Sequence, residues 1–186
     1  MNDNLVYEKY RATIKDGDVL LYEGKGMLSW IIKKFSRSKY SHSGIAAWWN
    51  DRLMVMEAIR KGVVVTTLSR NVSRYHGNVD WYTSNNNISE KERNKMIKFA
   101  QKELGKEYNF LELLIIGIKI IFHKVIKLKN FKDERLICSQ FVSDVYHSIG
   151  IEIKETVAPP FVTPADIAES KVLKFKGVLK TSNYWT

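Results

Sequence analysis

A chain of 186 residues with 45% hydrophobic content is long enough for one well-filled core and too mixed in composition for a fibrous or disordered protein. Its single cysteine excludes an internal disulfide, and no CxxC element or helix-spaced histidine pair offers a metal site, so no metal or organic cofactor is expected. The net charge of +10 fits either a solvated lysine-rich surface or an anionic partner.

In chain order, the N-terminal stretch MNDNLVYEKYRATIKDGD has no continuous apolar run, so no export signal is expected and the cytoplasm is the expected location. Asp16-Gly17-Asp18 forms a turn feeding a strand at Val19 to Tyr22. Gly26 to Phe35 has helical apolar spacing at Met27, Trp30, Ile31 and Phe35, which offers either a core stripe or one wall of an acyl groove. Strands are then predicted over Ser41 to Trp49, Leu53 to Ile59, Val63 to Leu68 and Val79 to Thr83. Asn50-Asp51 and Lys61-Gly62 are turns, and connections this short favour antiparallel pairing.

The second half reads as helical. Ser89 with Glu92 matches a capping box and opens a helix that stops before Gly105. Phe110 to Ile126 is apolar but interrupted by Glu112, Lys119, His123 and Lys124. A spanning helix needs about 20 mainly apolar residues, so a buried or interfacial helix is expected instead. A further helix runs from about Leu136 to Ile149 and ends at Gly150, and Thr163-Pro164-Ala165-Asp166 starts a short one. Lysines are dense in 91–106 and 119–132, but neither segment interleaves them with aromatics in the manner of a single-strand binding groove. With no zinc-finger spacing, phosphate loop or helix-turn-helix either, nucleic acid is not expected as a partner.

The chemistry centres on Cys138 and His42. Phe141, Val142, Val145 and Ile149 place Cys138 on the apolar stripe of its helix, where a cysteine serves either as a small buried hydrophobe or as a nucleophile. Its place in the first turn favours thiolate, because unpaired N–H groups and the positive end of the helix dipole lie there. Four histidines compete as its base. His147 lies on the opposite face of the same helix, roughly 13 Å along the axis. His123 sits in an apolar run and His76 at a turn. His42 opens a strand whose same-face neighbours, Gly44 and Ala46, leave room for a second element, and it is the best candidate. On the next strand Glu57 alternates with Val55 and Ile59, so its carboxylate shares a face with apolar residues, where charges are rarely left unpaired; pairing with His42 would explain it, and a solvated face is the alternative. No GxSxG elbow supports a serine hydrolase.

The succession DGDVLLYEG, YSHSGIAAWW, VMEAIRKGVVVTTL, LGKEYNF, LICSQFVSDVY and TPADI resembles the circularly permuted NlpC-type papain-like cysteine hydrolases. The nearest branch is the YiiX/YebB group, related to lecithin:retinol acyltransferase-like enzymes, in which the histidine strand precedes the cysteine helix. The resemblance implies one α+β domain over residues 1–186: an antiparallel, partly barrel-like sheet of about five strands packed against helices, with the nucleophile at a helix N-terminus. It implies that Cys138 attacks an acyl carbonyl, that His42 is the proton partner and that Glu57 orients the ring. The backbone amide of Cys138 would help hold the oxyanion. Tyr108, in Gly105-Lys106-Glu107-Tyr108, is carried over as a site-lining residue, with Ser43 of the SHSGI element and Trp30 as further substrate contacts.

The expected function is a cysteine hydrolase or acyltransferase on an amide, peptide or ester bond, with an N-acyl or lipid-linked amide favoured over a peptidoglycan peptide. Lys124, Lys127, Lys129 and Lys132 beside the apolar 110–126 stretch suit peripheral adsorption to an anionic membrane. Two other classes stay open, a non-catalytic acyl- or peptide-binding module on the same fold and a basic adaptor.

Overall fold

The computed structural model describes residues 3–26, 29–30, 33–34, 37–59, 61–106, 138–154 and 162–181. Its frame is a six-stranded antiparallel sheet: β1 (Val19–Glu23), β2 (His42–Trp49), β3 (Arg52–Ile59), β4 (Gly62–Thr67), β5 (Asn78–Ser84) and β6 (Leu173–Lys180). The spatial order is β4-β3-β2-β1-β5-β6, so the strand carrying His42 lies in the interior of the sheet. The helices are α1 (Asp3–Arg11), α2 (Leu68–Arg74), α3 (Glu90–Lys102), α4 (Cys138–His147) and α5 (Pro164–Ala168).

Both faces of the sheet are covered. Val19, Leu21, Ile45 and Met56 point to one side, where they pack with Phe141, Val142 and Val145 of α4 and Met96 and Ile97 of α3. Leu20, Tyr22, Ala46 and Val55 point to the other, against Tyr7 of α1 and Leu68 and Val72 of α2. This follows from strand alternation combined with near-continuous apolar runs, which only a sheet buried on both faces can satisfy. The expected capping boxes are formed: Ser89 and Glu92 bond reciprocally at the start of α3, and Thr163 and Asp166 do so at α5.

The strands beginning at Val19, His42, Arg52, Gly62 and Asn78 and the helices α3, α4 and α5 match the sequence reading within a residue or two at most ends. Three elements go beyond it. Strand β6 makes the sheet six-stranded, and the sheet is open rather than barrel-like, with β4 and β6 as its edges. Lys174 and Lys176 face out from this edge, a pattern that discourages strand addition and also masks the apolar alternation. Helix α1 was not expected from its short apolar content. Helix α2 begins at Leu68, where the fourth strand was expected to continue. Gly26, Ser29, Trp30, Lys33 and Lys34 keep helical spacing, with Trp30 N–H bonded to the Gly26 carbonyl. Met27, Ile31, Phe35, Tyr108, His123, the 110–126 stretch and its lysines lie outside the described residues. Among the described residues, no helix is long and apolar enough to cross a membrane.

Candidate active site

The site forms where β2 begins. Antiparallel pairing sets Tyr22 of β1 opposite His42, and pairs Ile45 with Met56 on β3, which brings Glu57 beside the start of β2. His42 Nε2 meets Glu57 Oε2 at 2.8 Å. Gly44 makes this approach feasible, since a Cβ there would stand 2.9 Å from Val55 Cγ2 and 3.1 Å from the Met56 carbonyl oxygen.

From the opposite face of the sheet, α4 delivers Cys138, its first described residue. Two bonds seat this helix: Tyr146 Oη donates to the Gly17 carbonyl at 2.9 Å, and Ser139 Oγ donates to the Val162 carbonyl. The Cys138 thiol and the His42 ring lie near enough for each to shift the titration of the other. Because Nε2 is taken by Glu57, the nitrogen left for sulfur is Nδ1, which fixes the ring in one orientation. Sulfur, imidazole and carboxylate thus lie in series across the neighbouring strands β2 and β3 and the remote helix α4.

Electrostatics favour the charged form of this pair. Burial opposes ionisation of Cys138, but the His42 charge, the ring hydrogen bond and the Ser43 N–H and hydroxyl outweigh it and lower the thiol below its ordinary 9.0. Burial likewise opposes protonation of His42. The Cys138 charge and hydrogen bond, followed by those of Glu57, overcome this and raise the imidazole from 6.5 to about 10. Both shifts favour the thiolate–imidazolium pair over the neutral one.

Of the residues singled out in the sequence, Cys138, His42 and Glu57 come together. Ser43 joins them differently from its expected role as a substrate contact. It is fully buried on the α4 side of β2, its hydroxyl makes no hydrogen bond, and its dipoles help to lower the Cys138 thiol. It supports the thiolate from behind. Trp30 is 57% exposed, with Lys34 Nζ 4.8 Å from its ring centroid. His147 pairs with Glu152 at 2.5 Å on the exposed side of α4, and His76 lies exposed in the bend before β5.

Three neighbours went unread in the sequence. Asn71 of α2 donates Nδ2–H to Glu57 Oε1 at 2.5 Å, and Tyr22 Oη donates to Asn71 Oδ1 at 3.0 Å. Tyr75 stacks 4.9 Å from Tyr22, and its phenol is pushed up to about 12 by burial, with the Glu57 and Cys138 charges adding to the effect. The spacing of Leu68, Val72 and Tyr75 was the available signal for the helix that carries Asn71.

An antiparallel sheet whose histidine strand precedes a cysteine-bearing helix, with a carboxylate behind the ring, defines a circularly permuted papain-like thiol hydrolase. Residues 13–114, more than half of the chain, match the family described as permuted papain-like amidase enzyme, YaeF/YiiX, C92 family, and the chain belongs to that family. The matched segment contains His42 and Glu57 and ends before Cys138. The crystal structure of the metalloprotein YiiX from Escherichia coli O157:H7 is similar in fold, with a TM-score of 0.67 and 20% identity over 88% of this chain and 96% of that one. No curated protein matches the chain. Among the described residues, no group of three or more His, Cys, Asp or Glu side chains could hold a metal ion, so the word metalloprotein stays with YiiX.

Proposed function

We propose that this amidase-family chain is a cysteine hydrolase or acyltransferase that opens an N-acyl or lipid-linked amide through a thioester on Cys138. The observation that carries the reading is the His42 ring held by Glu57 at 2.8 Å, with Cys138 near enough to shift its titration. The thiolate adds to the acyl carbonyl, forming the C–S bond and an oxyanion to which the first amides of α4 are directed. The His42 imidazolium gives its proton to the departing nitrogen as the C–N bond breaks, leaving a thioester and a neutral imidazole. Water, or an acceptor alcohol or amine, is deprotonated by His42 and attacks the thioester. The acyl group leaves and the ion pair is restored. Glu57 keeps the ring aligned through both proton transfers.

An amphipathic substrate is favoured by the surface beside the site. The segment between β1 and β2 ends at Ser41, whose Oγ accepts from Gly24 N–H at 3.1 Å, and it presents exposed Trp30 with Lys34 over its ring. An aromatic flanked by cations suits the boundary between acyl chains and anionic headgroups.

The test is intact-mass analysis after incubation with a fluorogenic N-acyl amide and, separately, with an activated acyl ester. A single acyl adduct on the wild type, absent in Cys138→Ala and slowed at least tenfold in His42→Ala, is the expected result. Full turnover by Cys138→Ala, or iodoacetamide alkylation no faster than that of free cysteine, would refute the thiol mechanism and favour a binding module. Cleavage of a peptidoglycan peptide in preference to the acyl amide would overturn the substrate assignment alone.

A further inference from the structure

Glu57 has two carboxylate oxygens, and the proton relay uses only one. Oε2 faces His42, whereas Oε1 accepts from Asn71 Nδ2 at 2.5 Å. A carboxylate can only accept, so the Asn71 amide must turn its NH2 toward Glu57 and leave Oδ1 on the far side. There the Tyr22 phenol donates to Oδ1 at 3.0 Å, and Tyr22 is fully buried. Burial, followed by the charge of Glu57, raises this phenol well above its ordinary value, so it stays a donor across the working range. The Tyr22 ring also lies 5.2 Å from the His42 ring, on the strand directly paired with it. The chain of donors therefore runs one way, from Tyr22 to Asn71 to Glu57, and ends on the carboxylate that holds the imidazole.

From this arrangement, and resting on the thiol mechanism above, we infer that Asn71 is a positioning residue of the active site. It clamps Glu57 so that the carboxylate stays against His42, with Tyr22 locking the direction of its amide. The residue type follows from the chemistry: one side chain must donate to an anion and accept from a phenol, at the reach of a short side chain on α2. Asparagine does both. Aspartate has the same shape but no donor when charged, and leucine fills the space while leaving Glu57 Oε1 and the Tyr22 hydroxyl without partners.

The test is the pH profile of Cys138 alkylation by iodoacetamide, read with thermal melting of each variant. The titratable groups around Glu57 are His42, Cys138, Tyr22 and Tyr75. In the wild type the alkaline limb of the profile, where the ion-pair rate gives way to that of a lone thiolate, comes as His42 loses its proton at about 10. In Asn71→Ala this alkaline limb should move down by about one pH unit or more, because a loosened carboxylate holds the imidazolium less well. Asn71→Asp supplies the decisive arm. Two carboxylates at this spacing repel each other while both are charged, and the clamp is lost. Reactivity should therefore fall several-fold at neutral pH and recover on acidification, when a protonated Asp can again donate to Glu57. Tyr22→Phe keeps the ring beside His42 and frees only the amide to flip, so its effect should be smaller and of the same sign.

If Asn71→Asp and Asn71→Ala melt like the wild type and show its pH profile, the inference is overturned while the thiol mechanism stands. It is overturned equally if both lose reactivity by the same factor at every pH, since a merely structural role predicts that outcome. If wild-type Cys138 itself shows no elevated reactivity, the underlying mechanism fails first and is distinguished by that control. Should Asn71→Ala fail to fold, the isosteric Asn71→Asp and Tyr22→Phe variants still decide the matter.

Discussion

At the scale of single residues, the site is a competition between burial and partnership. Burial alone would keep the Cys138 thiol protonated and the His42 ring neutral, yet each lies shifted toward its charged form because the other supplies the opposite charge at close range. Linkage gives this pair a recognisable stability profile. His42, raised on folding, stabilises fully below 6.5 and loses that contribution as pH climbs through about 10. Cys138, lowered on folding, contributes fully above 9.0 and loses its share as pH falls through its folded value. Below 9.0 the two slopes oppose each other, since the His42 contribution falls with rising pH while that of Cys138 grows. The stability difference between the wild type and a His42→Gln/Cys138→Ser double variant should thus fall most steeply between 9.0 and about 10, where only the His42 contribution is changing. Urea midpoints across this range check it, and a difference that persists unchanged beyond the upper limit contradicts the ion pair. Glu57→Gln keeps the shape but removes the anion behind the ring. Turnover should drop on the order of a hundredfold or more, with melting little changed.

At the scale of elements, what matters is how tightly α2, β1 and α4 are brought to one end of the sheet. Gly77 connects α2 to β5 and lies directly against β1, where an added Cβ would stand 2.0 Å from the Glu23 carbonyl oxygen and 2.9 Å from Tyr75 Cε1. No flexible side-chain end is available to yield at the first contact. Gly77→Ala should therefore destabilise the protein by more than about 2 kcal/mol and lower thiol reactivity with it. Denaturant unfolding beside an alkylation assay reads both, and a variant as stable as the wild type would show that β1 can shift without cost. Opposite this junction, buried Asp18 accepts from Lys15 N–H at 3.0 Å, Trp81 Nε1–H at 2.8 Å and Thr83 Oγ1–H at 2.7 Å, with Arg93 of α3 at 3.6 Å. That network fixes the turn whose Gly17 carbonyl receives Tyr146 of the cysteine helix.

At the scale of the whole molecule, a net charge of +10 makes association with anionic surfaces dependent on salt. If the proposed amphipathic substrate is met at a membrane, sedimentation with vesicles rich in anionic lipid should weaken several-fold for each doubling of salt and vanish with neutral vesicles. Trp30→Ala should reduce the binding further while leaving alkylation of Cys138 unchanged. Equal binding to neutral and anionic vesicles would dissociate the charge from any membrane role.

Much of the frame was legible in the sequence. The runs from Val19, His42, Arg52, Gly62 and Asn78 declare strands because each is apolar, short and bounded by turn residues, and Ser89 and Thr163 announce helices by caps that act within a few residues. Helix α2 and strand β6 were not, because the spacing of Leu68, Val72 and Tyr75 runs on directly from an apolar strand and the lysines of β6 dilute its alternation. The types of chemistry were also written locally: one cysteine on a helix, one histidine opening a strand, one glutamate among apolar neighbours. Which of these would meet was decided by the tertiary structure alone. Strand register turns Glu57 onto His42, and packing on the other face carries Cys138 to the same ring. Asn71 shows the limit most clearly: an asparagine in a short polar stretch carries no local mark of its role, and acquires one only when the fold sets a carboxylate on one side of it and a buried phenol on the other.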